Sequence, residues 1–309
     1  MKKALILTDG KAGHENQSRA FVRALGLEGV IVPVKFASPL RKALSYLLDN
    51  AGVLSPGLVE MNLPASCADG VAAVVGTGSG TFYAAKALAR RLGVKCGVVL
   101  YPRGYRLSGF DCVIAPSFDN PAKKPFVVEV PANLVASDDE FYEKGAQAFL
   151  ERYSGPVDGL VGVIVGGPNK CSTMSADWMK AQLDEIFAGN KGAQMCVTTS
   201  RRTPADVEAV VDSYPWAYKL IYSRDRFNPI PAFVKLAKRL YVTAESTGML
   251  SESCTSGTAE VRALDNLNPG PHKFRRFLDS LAEAGYVGGN RKIDLSGQFA
   301  AARRLMGLA

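Results

Sequence analysis

The sequence is poor in the residues that hold metals and cross-link small proteins. Its 309 residues include only two histidines, His14 and His272, and six cysteines without paired spacing. Zinc sites need histidine and cysteine clusters at short spacings, so we expect no metal site. Cys96, Cys112 and Cys196 lie in apolar runs and are typical of small core residues.

Long apolar runs and concentrated charge are also missing. No run approaches the length of a membrane span, and the N-terminal apolar run is too short for a signal peptide, so we expect a cytoplasmic protein. The chain has no basic tail and no interleaving of aromatic and basic residues, which argues against a nucleic-acid partner. Its net charge of +8 at pH 7 is scattered and suits phosphates or an anionic membrane surface.

Two motifs of nicotinamide-dependent enzymes are absent. No Gly-x-Gly-x-x-Gly follows the first apolar run, and no tyrosine stands four residues before a lysine. Both motifs are expected in an epimerase that works through a tightly held nicotinamide. That class is therefore the weakest of the hypotheses weighed below.

What the sequence does contain is a regular alternation of strand-like and helical segments, twice over. One series starts at Ala4–Thr8 and the other at Leu160–Val165, and the turn-forming stretch Ser154–Gly159 separates them. This pattern predicts an α/β protein of two Rossmann-like, doubly wound parallel-sheet domains, 1–154 and 155–290. Residues 50–70, with prolines and glycines, are predicted to be irregular. We expect the active site in a cleft between the two sets of strand ends.

Polar residues follow the strands of the second series. Gly166-Gly167-Pro168-Asn169, Thr199-Ser200-Arg201-Arg202-Thr203 and Thr243-Ala244-Glu245-Ser246 each end an apolar run. Guanidinium groups bind phosphate oxygens, and a carboxylate beside hydroxyls suits a ribose diol. The alternatives are a capped helix start and solvated loop charges. The candidate binding residues are Gly166, Gly167, Asn169, Thr199, Ser200, Arg201, Arg202, Thr243, Glu245, Ser246, Met249, Ser251 and Glu252, with Glu252 expected in the first turn of its helix.

The first series offers a candidate general base. His14 lies in a polar loop after the first strand, and histidine titrates near working pH. Asp9 is the candidate that orients it; the alternative is a structural, helix-capping histidine. The other candidates, for an acceptor or a phosphate, are Gly10, Lys11, Gly13, Asn16, Gln17, Gly76, Thr77, Gly78 and Ser79.

These stretches resemble the mitochondrial-fission ELM family. The resemblance rests on Thr8–Gln17, Gly166–Pro168, Thr199–Thr203 and Val242–Glu252, and it covers nearly the whole chain in order. Bacterial members are often labelled nucleoside-diphosphate-sugar epimerases. The resemblance implies the GT-B glycosyltransferase fold, with an acceptor-side N-terminal domain and a C-terminal domain that holds a nucleotide-sugar. It also implies that the last helix, within residues 291–309, crosses back onto the first domain.

The last motif departs from the family pattern in two places. Glu245 stands where the family has aspartate, and Gly248 stands where it has serine. A further departure is Thr258–Val261, where a proline is expected before the next strand. These changes bear on the identity of the donor more than on the fold.

Three hypotheses follow. The first is a metal-independent glycosyltransferase without a cofactor, whose substrate is a nucleoside-diphosphate-sugar and whose acceptor is a saccharide or glycolipid of the cell envelope. The second is a non-catalytic adaptor, peripheral on the inner membrane face, that keeps the fold. The third is the epimerase.

Overall fold

The computed structural model describes residues 2–63 and 70–308, so Cys67 lies outside the described residues. By its internal contacts the chain divides into two compact units. Unit 1 comprises Met1–Ala136 and Asp294–Ala309, and unit 2 comprises Ser137–Ile293.

Unit 1 is built on a seven-stranded sheet. Its elements up to residue 130 are β1 (Lys3–Thr8), α1 (Ala12–Ala24), β2 (Glu28–Phe36), α2 (Pro39–Asn50), β3 (Val59–Met61), β4 (Val71–Thr77), α3 (Phe82–Leu92), β5 (Lys95–Val99), β6 (Cys112–Pro116) and β7 (Val127–Val130). The strand order is β3-β2-β1-β4-β5-β6-β7, parallel except for β3, which pairs antiparallel with β2. β1, β4 and β6 are almost wholly buried, as strands covered on both faces must be.

Unit 2 is built on a five-stranded parallel sheet in the order β10-β9-β8-β11-β12. Its elements are α4 (Asp139–Leu150), β8 (Leu160–Ile164), α5 (Ala176–Gly189), β9 (Gln194–Thr198), α6 (Ala205–Asp212), β10 (Tyr218–Leu220), α7 (Ile230–Leu236), β11 (Arg239–Thr243), α8 (Thr247–Thr255), β12 (Glu260–Leu264) and α9 (Lys273–Glu283). Its core packs β8 and β9 against α5 and α6, through Val163, Val197 and Leu183 among others. The α/β class with two parallel sheets is therefore as predicted.

The last helix, α10 (Ser296–Leu305), belongs to unit 1. It lies against β6 and β7, and Met306 directly after it is 2% exposed. A Cβ on Gly97 of β5 would meet the Met306 methyl carbon at 3.2 Å. The predicted return of the last helix to the first domain is thus confirmed.

Helix α4 falls in unit 2, whereas the sequence-based boundary lies after it, between residues 154 and 155. The helix packs on α7, where Gly145 gives space to Pro231. Phe149 at its end is fully buried, with its ring 5.7 Å from that of Phe233. Aromatic packing therefore draws α4 into unit 2. None of the helices in the described ranges is both long and apolar enough to cross a membrane.

Candidate functional site

The strand ends that carry polar motifs in unit 2 are neighbours in its sheet. β8 lies between β9 and β11, and all three run parallel. Gly166 and Gly167 follow β8, the 199–203 loop follows β9, and residues 243–246 follow β11. The carboxyl ends of parallel strands meet at one edge, so the sheet brings these motifs together.

A buried carboxylate fixes the double-glycine segment. Glu245 is 2% exposed, and its Oε1 accepts hydrogen bonds from the Gly167 N–H at 2.7 Å and from the Thr243 hydroxyl at 3.1 Å. The Gly166 N–H donates to Thr243 Oγ1 at 2.8 Å. A Cβ on Gly166 would lie 2.0 Å from Glu245 Oε1. The protein itself therefore requires a glycine at position 166, and both amide donors are already used.

The loop after β9 is tied to the same segment. Thr203 Oγ1 donates to the Gly166 carbonyl at 2.6 Å and accepts from the Ser200 N–H at 2.8 Å. A Cβ on Gly167 would lie 2.2 Å from the Arg202 carbonyl oxygen. Arg201 and Arg202 are exposed and form no ion pair with any described residue. A fixed loop thus presents two free guanidinium groups at the strand-end edge.

Several other candidate residues of unit 2 have internal partners. Thr199 is buried, donates to Glu208 at 2.7 Å and accepts from the Tyr222 N–H at 2.8 Å. Ser251 is 1% exposed and donates to the Thr247 carbonyl. Further internal bonds involve the Asn169 side chain, which accepts from the Cys171 N–H, and the Ser246 N–H, which donates to the Thr243 carbonyl. Their predicted contact with a ligand stays a prediction.

Glu252 lies one turn deeper in its helix than the sequence suggested. The helix α8 begins at Thr247, so the first turn holds no acidic residue, and half-buried Met249 lies between the helix start and Glu252. The expectation of a first-turn carboxylate is wrong because the helix begins before the serine-rich stretch. Tyr142 of α4 donates to Glu252 Oε1 at 3.1 Å. Burial raises the pKa of Glu252, and the Tyr142 hydrogen bond opposes that rise only in part.

Unit 1 holds a carboxylate–histidine pair at the end of β1. Asp9 follows the strand, and His14 lies in the first turn of α1. His14 Nδ1 is 3.1 Å from each Asp9 carboxylate oxygen, and Lys11 Nζ is 2.9 Å from Asp9 Oδ2. Burial of Asp9 would raise its pKa, but the hydrogen bonds and charges of Lys11 and His14 outweigh it and hold the pKa below 3.8. Nothing in the described part of the chain hydrogen-bonds to His14 Nε2.

The loop after β4 packs directly against this pair. A Cβ on Gly78, at φ +80°, would lie 2.4 Å from His14 Cε1, and a Cβ on Gly80 would lie 2.8 Å from Asp9 Oδ2. A Cβ on Gly76 would lie 2.6 Å from the Thr81 hydroxyl oxygen. Only glycine fits at these positions, because any side chain would displace the neighbouring group.

The remaining candidates of unit 1 surround the pair. Thr77 is buried, with its hydroxyl 2.7 Å from that of Ser18. Ser79 Oγ accepts from Lys42 Nζ at 3.1 Å. The other candidates lie in the loop and first helical turns that carry the pair: Gly10, Lys11, Gly13, Asn16 and Gln17. The Gln17 side-chain amide donates to the Gly13 carbonyl, and Asn16 is exposed.

The sequence did not single out some residues that complete these networks. Lys42, which holds Ser79, was one of many scattered basic residues, and Tyr142, the partner of Glu252, is 110 residues away in sequence. Asn266, whose Oδ1 accepts from the Glu245 N–H at 3.3 Å, follows β12. Its position at a strand end of the same sheet was the available signal.

Comparison with known proteins gives matches that cover half of this chain or more. The family model for mitochondrial fission ELM1 matches residues 12–296. The chain belongs to this family. It is 24% identical to the mitochondrial fission protein ELM1 of Arabidopsis thaliana, over 93% of this chain and 84% of that protein. It is 26% identical to the uncharacterized protein RP120 of Rickettsia prowazekii, over 50% of this chain and 45% of that protein.

Solved structures share the fold of this ELM1-family chain at low sequence identity. A UDP-GlcNAc 2-epimerase from Neisseria meningitidis, bound to UDP-GlcNAc, matches with a TM-score of 0.52 and 12% identity, over 99% of this chain and 98% of that one. A UDP-glucosyltransferase from Polygonum tinctorium matches with a TM-score of 0.51 and 13% identity, over 99% and 92%. These likenesses confirm the GT-B-like fold class.

Proposed function

We propose that this protein is a glycosyltransferase that uses a nucleoside-diphosphate-sugar donor. The observation that carries the proposal is the Asp9–His14 pair, with both Asp9 oxygens 3.1 Å from Nδ1. A carboxylate on Nδ1 holds the ring in the tautomer whose Nε2 is free to accept a proton. His14 would then be the base that deprotonates an acceptor hydroxyl, while Asp9 orients the ring and stabilises its cationic form.

Unit 2 would supply the donor site. Arg201 and Arg202 are exposed and unpaired among the described residues, and a guanidinium group can bind two phosphate oxygens at once. They would neutralise the diphosphate leaving group, so that no metal ion is required. Half-buried Glu252 would accept hydrogen bonds from a ribose diol. We place the acceptor among the saccharides or glycolipids of the cell envelope.

Epimerisation is a further candidate, because a solved structure that shares the fold is an epimerase bound to UDP-GlcNAc. The missing dinucleotide and Tyr-x-x-x-Lys motifs argue only against an epimerase that works through nicotinamide. The products separate the two reactions. Transfer releases a nucleoside diphosphate, whereas epimerisation returns a nucleotide-sugar of inverted configuration at one carbon.

The donor site is tested by the thermal stability of the protein with UDP, GDP, ADP and UDP-GlcNAc, each without added metal. A ligand that binds only the folded state raises the melting temperature by mass action. We expect a rise with at least one nucleotide and its loss in Arg201→Ala/Arg202→Ala. Lys191→Ala, which removes an exposed charge before β9 at the other edge of the sheet, is the matched control and should keep it.

The catalytic role is tested by incubating the protein with the nucleotide-sugar that binds, with glycan and glycolipid acceptors, and following the products by NMR. His14→Ala should lower turnover by about 10²–10⁴-fold while donor affinity changes little. Full activity of this variant would exclude His14 as the base. No thermal shift with any nucleotide would move the assignment to the non-catalytic adaptor.

A further inference from the structure

The large apolar side chains that face solvent are concentrated on one helix. In the described part of the chain, the exposed large hydrophobic residues are Leu40 (78%), Leu44 (39%), Leu47 (69%), Val53 (48%), Phe141 (44%) and Leu150 (46%). The first four lie between residues 40 and 53, in α2 and the turn that follows it. An exposed apolar patch of this kind usually marks a surface that contacts something else.

Helix α2 carries apolar side chains on two sides: Tyr46 and Leu48 pack against the core of unit 1, whereas three leucines face solvent. Leu40, Leu44 and Leu47 follow the i, i+4, i+7 spacing of one helix face, which we name the leucine face. The opposite face, turned to the protein, carries the polar residues Lys42, Ser45 and Asp49. The three leucines therefore lie outside the core of unit 1.

The charges of the helix suit an anionic surface. Asp49, its only carboxylate, is 3% exposed and is paired with Lys86 Nζ at 2.8 Å. Arg41 is exposed beside the leucines, and Arg106 reaches the turn after the helix, where a Cβ on Gly52 would lie 2.8 Å from its Nη1. An exposed apolar face flanked by cations and without an exposed carboxylate is typical of helices that lie in the interface of an anionic bilayer.

The inner face of the same helix is connected to the Asp9–His14 pair. Lys42 Nζ donates to Ser79 Oγ at 3.1 Å, in the loop whose glycines pack on His14 and Asp9. The Ser45 hydroxyl is 3.0 Å from the Tyr105 hydroxyl, which in turn donates to the Ser79 carbonyl at 3.3 Å. A surface bound to the leucine face would therefore lie close to the loop that packs against His14.

We propose that the leucine face of α2 docks onto an anionic lipid bilayer, so that the acceptor hydroxyl presented to His14 belongs to a lipid-borne molecule at that surface. The statement about the acceptor rests on the proposed function, whereas the docking does not. The leucines would enter the acyl boundary, and Arg41 and Arg106 would lie at the level of the anionic headgroups.

Docking is tested by sedimentation of the full chain with two kinds of vesicle, pure phosphatidylcholine and phosphatidylcholine with about one third phosphatidylglycerol. No nucleotide is added, so the result is independent of the donor site. We expect binding to the anionic vesicles and little binding to the neutral ones. Leu40→Ser/Leu47→Ser should weaken binding by about a hundredfold, because each buried leucine contributes roughly a factor of ten. Arg41→Gln should weaken it by about fivefold.

Phe141→Ser/Leu150→Ser is the control, since it removes two exposed apolar side chains, 44% and 46% exposed, from α4 in unit 2. It should bind the anionic vesicles like the parent chain. Both double variants change exposed positions, so their melting temperatures should stay near that of the parent. The nucleotide-induced thermal shift should also survive in Leu40→Ser/Leu47→Ser, which separates failure of docking from failure of the proposed function.

Three results would overturn the docking proposal. One is no sedimentation of the parent chain with anionic vesicles. Another is equal binding by the α2 variant and the parent, or equal loss in the α4 control. The third is a parent chain that is dimeric by light scattering, binds no vesicles and becomes monomeric in Leu40→Ser/Leu47→Ser, because the leucine face would then join two copies of the chain.

If docking holds, its consequence for the acceptor has a test of its own. Transfer to a glycolipid acceptor in anionic vesicles should fall in Leu40→Ser/Leu47→Ser, whereas turnover of the same donor with a soluble saccharide should not. An equal effect on both acceptors would refute the lipid-borne acceptor and leave the docking itself in place.

Discussion

At the scale of single residues, Glu245 has a structural role that the sequence did not predict. The resemblance to the family led us to expect aspartate there, and the strand-end location predicted contact with a ligand. The structure buries the side chain, and its Oε1 accepts hydrogen bonds from the Gly167 N–H and the Thr243 hydroxyl. Contact of Glu245 with a ligand stays a prediction. Removing that oxygen would leave two buried donors without partners, so the residue serves to shape the strand-end edge.

Asp9 yields a prediction about pH. A carboxyl group whose pKa is lowered in the folded state contributes stability that is complete above its unfolded pKa, ordinarily 3.8, and is lost as the pH falls through the folded value. Asp9→Asn should therefore flatten the acid limb of a melting-temperature profile, below about pH 4. His14→Asn, which leaves Lys11 in place, should give an intermediate profile. Parallel profiles for the parent and Asp9→Asn would contradict the assignment.

At the scale of elements, the strand-end loops of unit 2 depend on close backbone contact. A Cβ on Gly167 would lie 2.2 Å from the Arg202 carbonyl oxygen, which belongs to backbone and cannot rotate away. Gly167→Ala should therefore force the 199–203 loop away from β8. We expect a loss of about 2–4 kcal/mol in the free energy of unfolding and a loss of the nucleotide-induced thermal shift.

Gly189, the last residue of α5, supplies the control for this substitution. A Cβ there would meet nothing within 4 Å, and the backbone is not in the left-handed region. Gly189→Ala should be neutral or slightly stabilising, with the nucleotide response unchanged. Chemical denaturation of both variants measures the difference. A neutral Gly167→Ala would show that the loop does not need its contact with the double-glycine segment.

The sequence predicted the elements that repeat and missed those that depend on remote partners. Short apolar runs identified β1, β8 and β9, because a parallel strand buried on both faces is apolar throughout. β3 was not predicted, since its three residues lie in a stretch of prolines and glycines and pair only with the edge of β2. The Tyr142–Glu252 contact was equally invisible, because nothing local in the sequence relates residues 110 positions apart.

At the scale of the whole molecule, the chain passes from unit 1 into unit 2 and then returns to unit 1. Residues 294–309 rejoin unit 1, although they follow directly on the last residues of unit 2. Met306 is 2% exposed and lies against Gly97 of β5. The C-terminal segment is therefore part of the core of unit 1. It should stabilise the first 136 residues rather than its neighbours in sequence.

Because the C-terminal segment belongs to the core of unit 1, a cavity created there should destabilise unit 1. Met306→Ala should lower the free energy of unfolding of unit 1 by about 2–4 kcal/mol. Since each unit has a hydrophobic core of its own, hydrogen exchange should show the loss of amide protection in residues 3–130 and little change in residues 160–264. Met179→Ala, at a fully buried position of unit 2, is the matched substitution and should give the opposite distribution. A loss of protection after Met306→Ala that is strongest in residues 160–264 would show that the last helix stabilises its neighbours in sequence instead of the sheet it packs on.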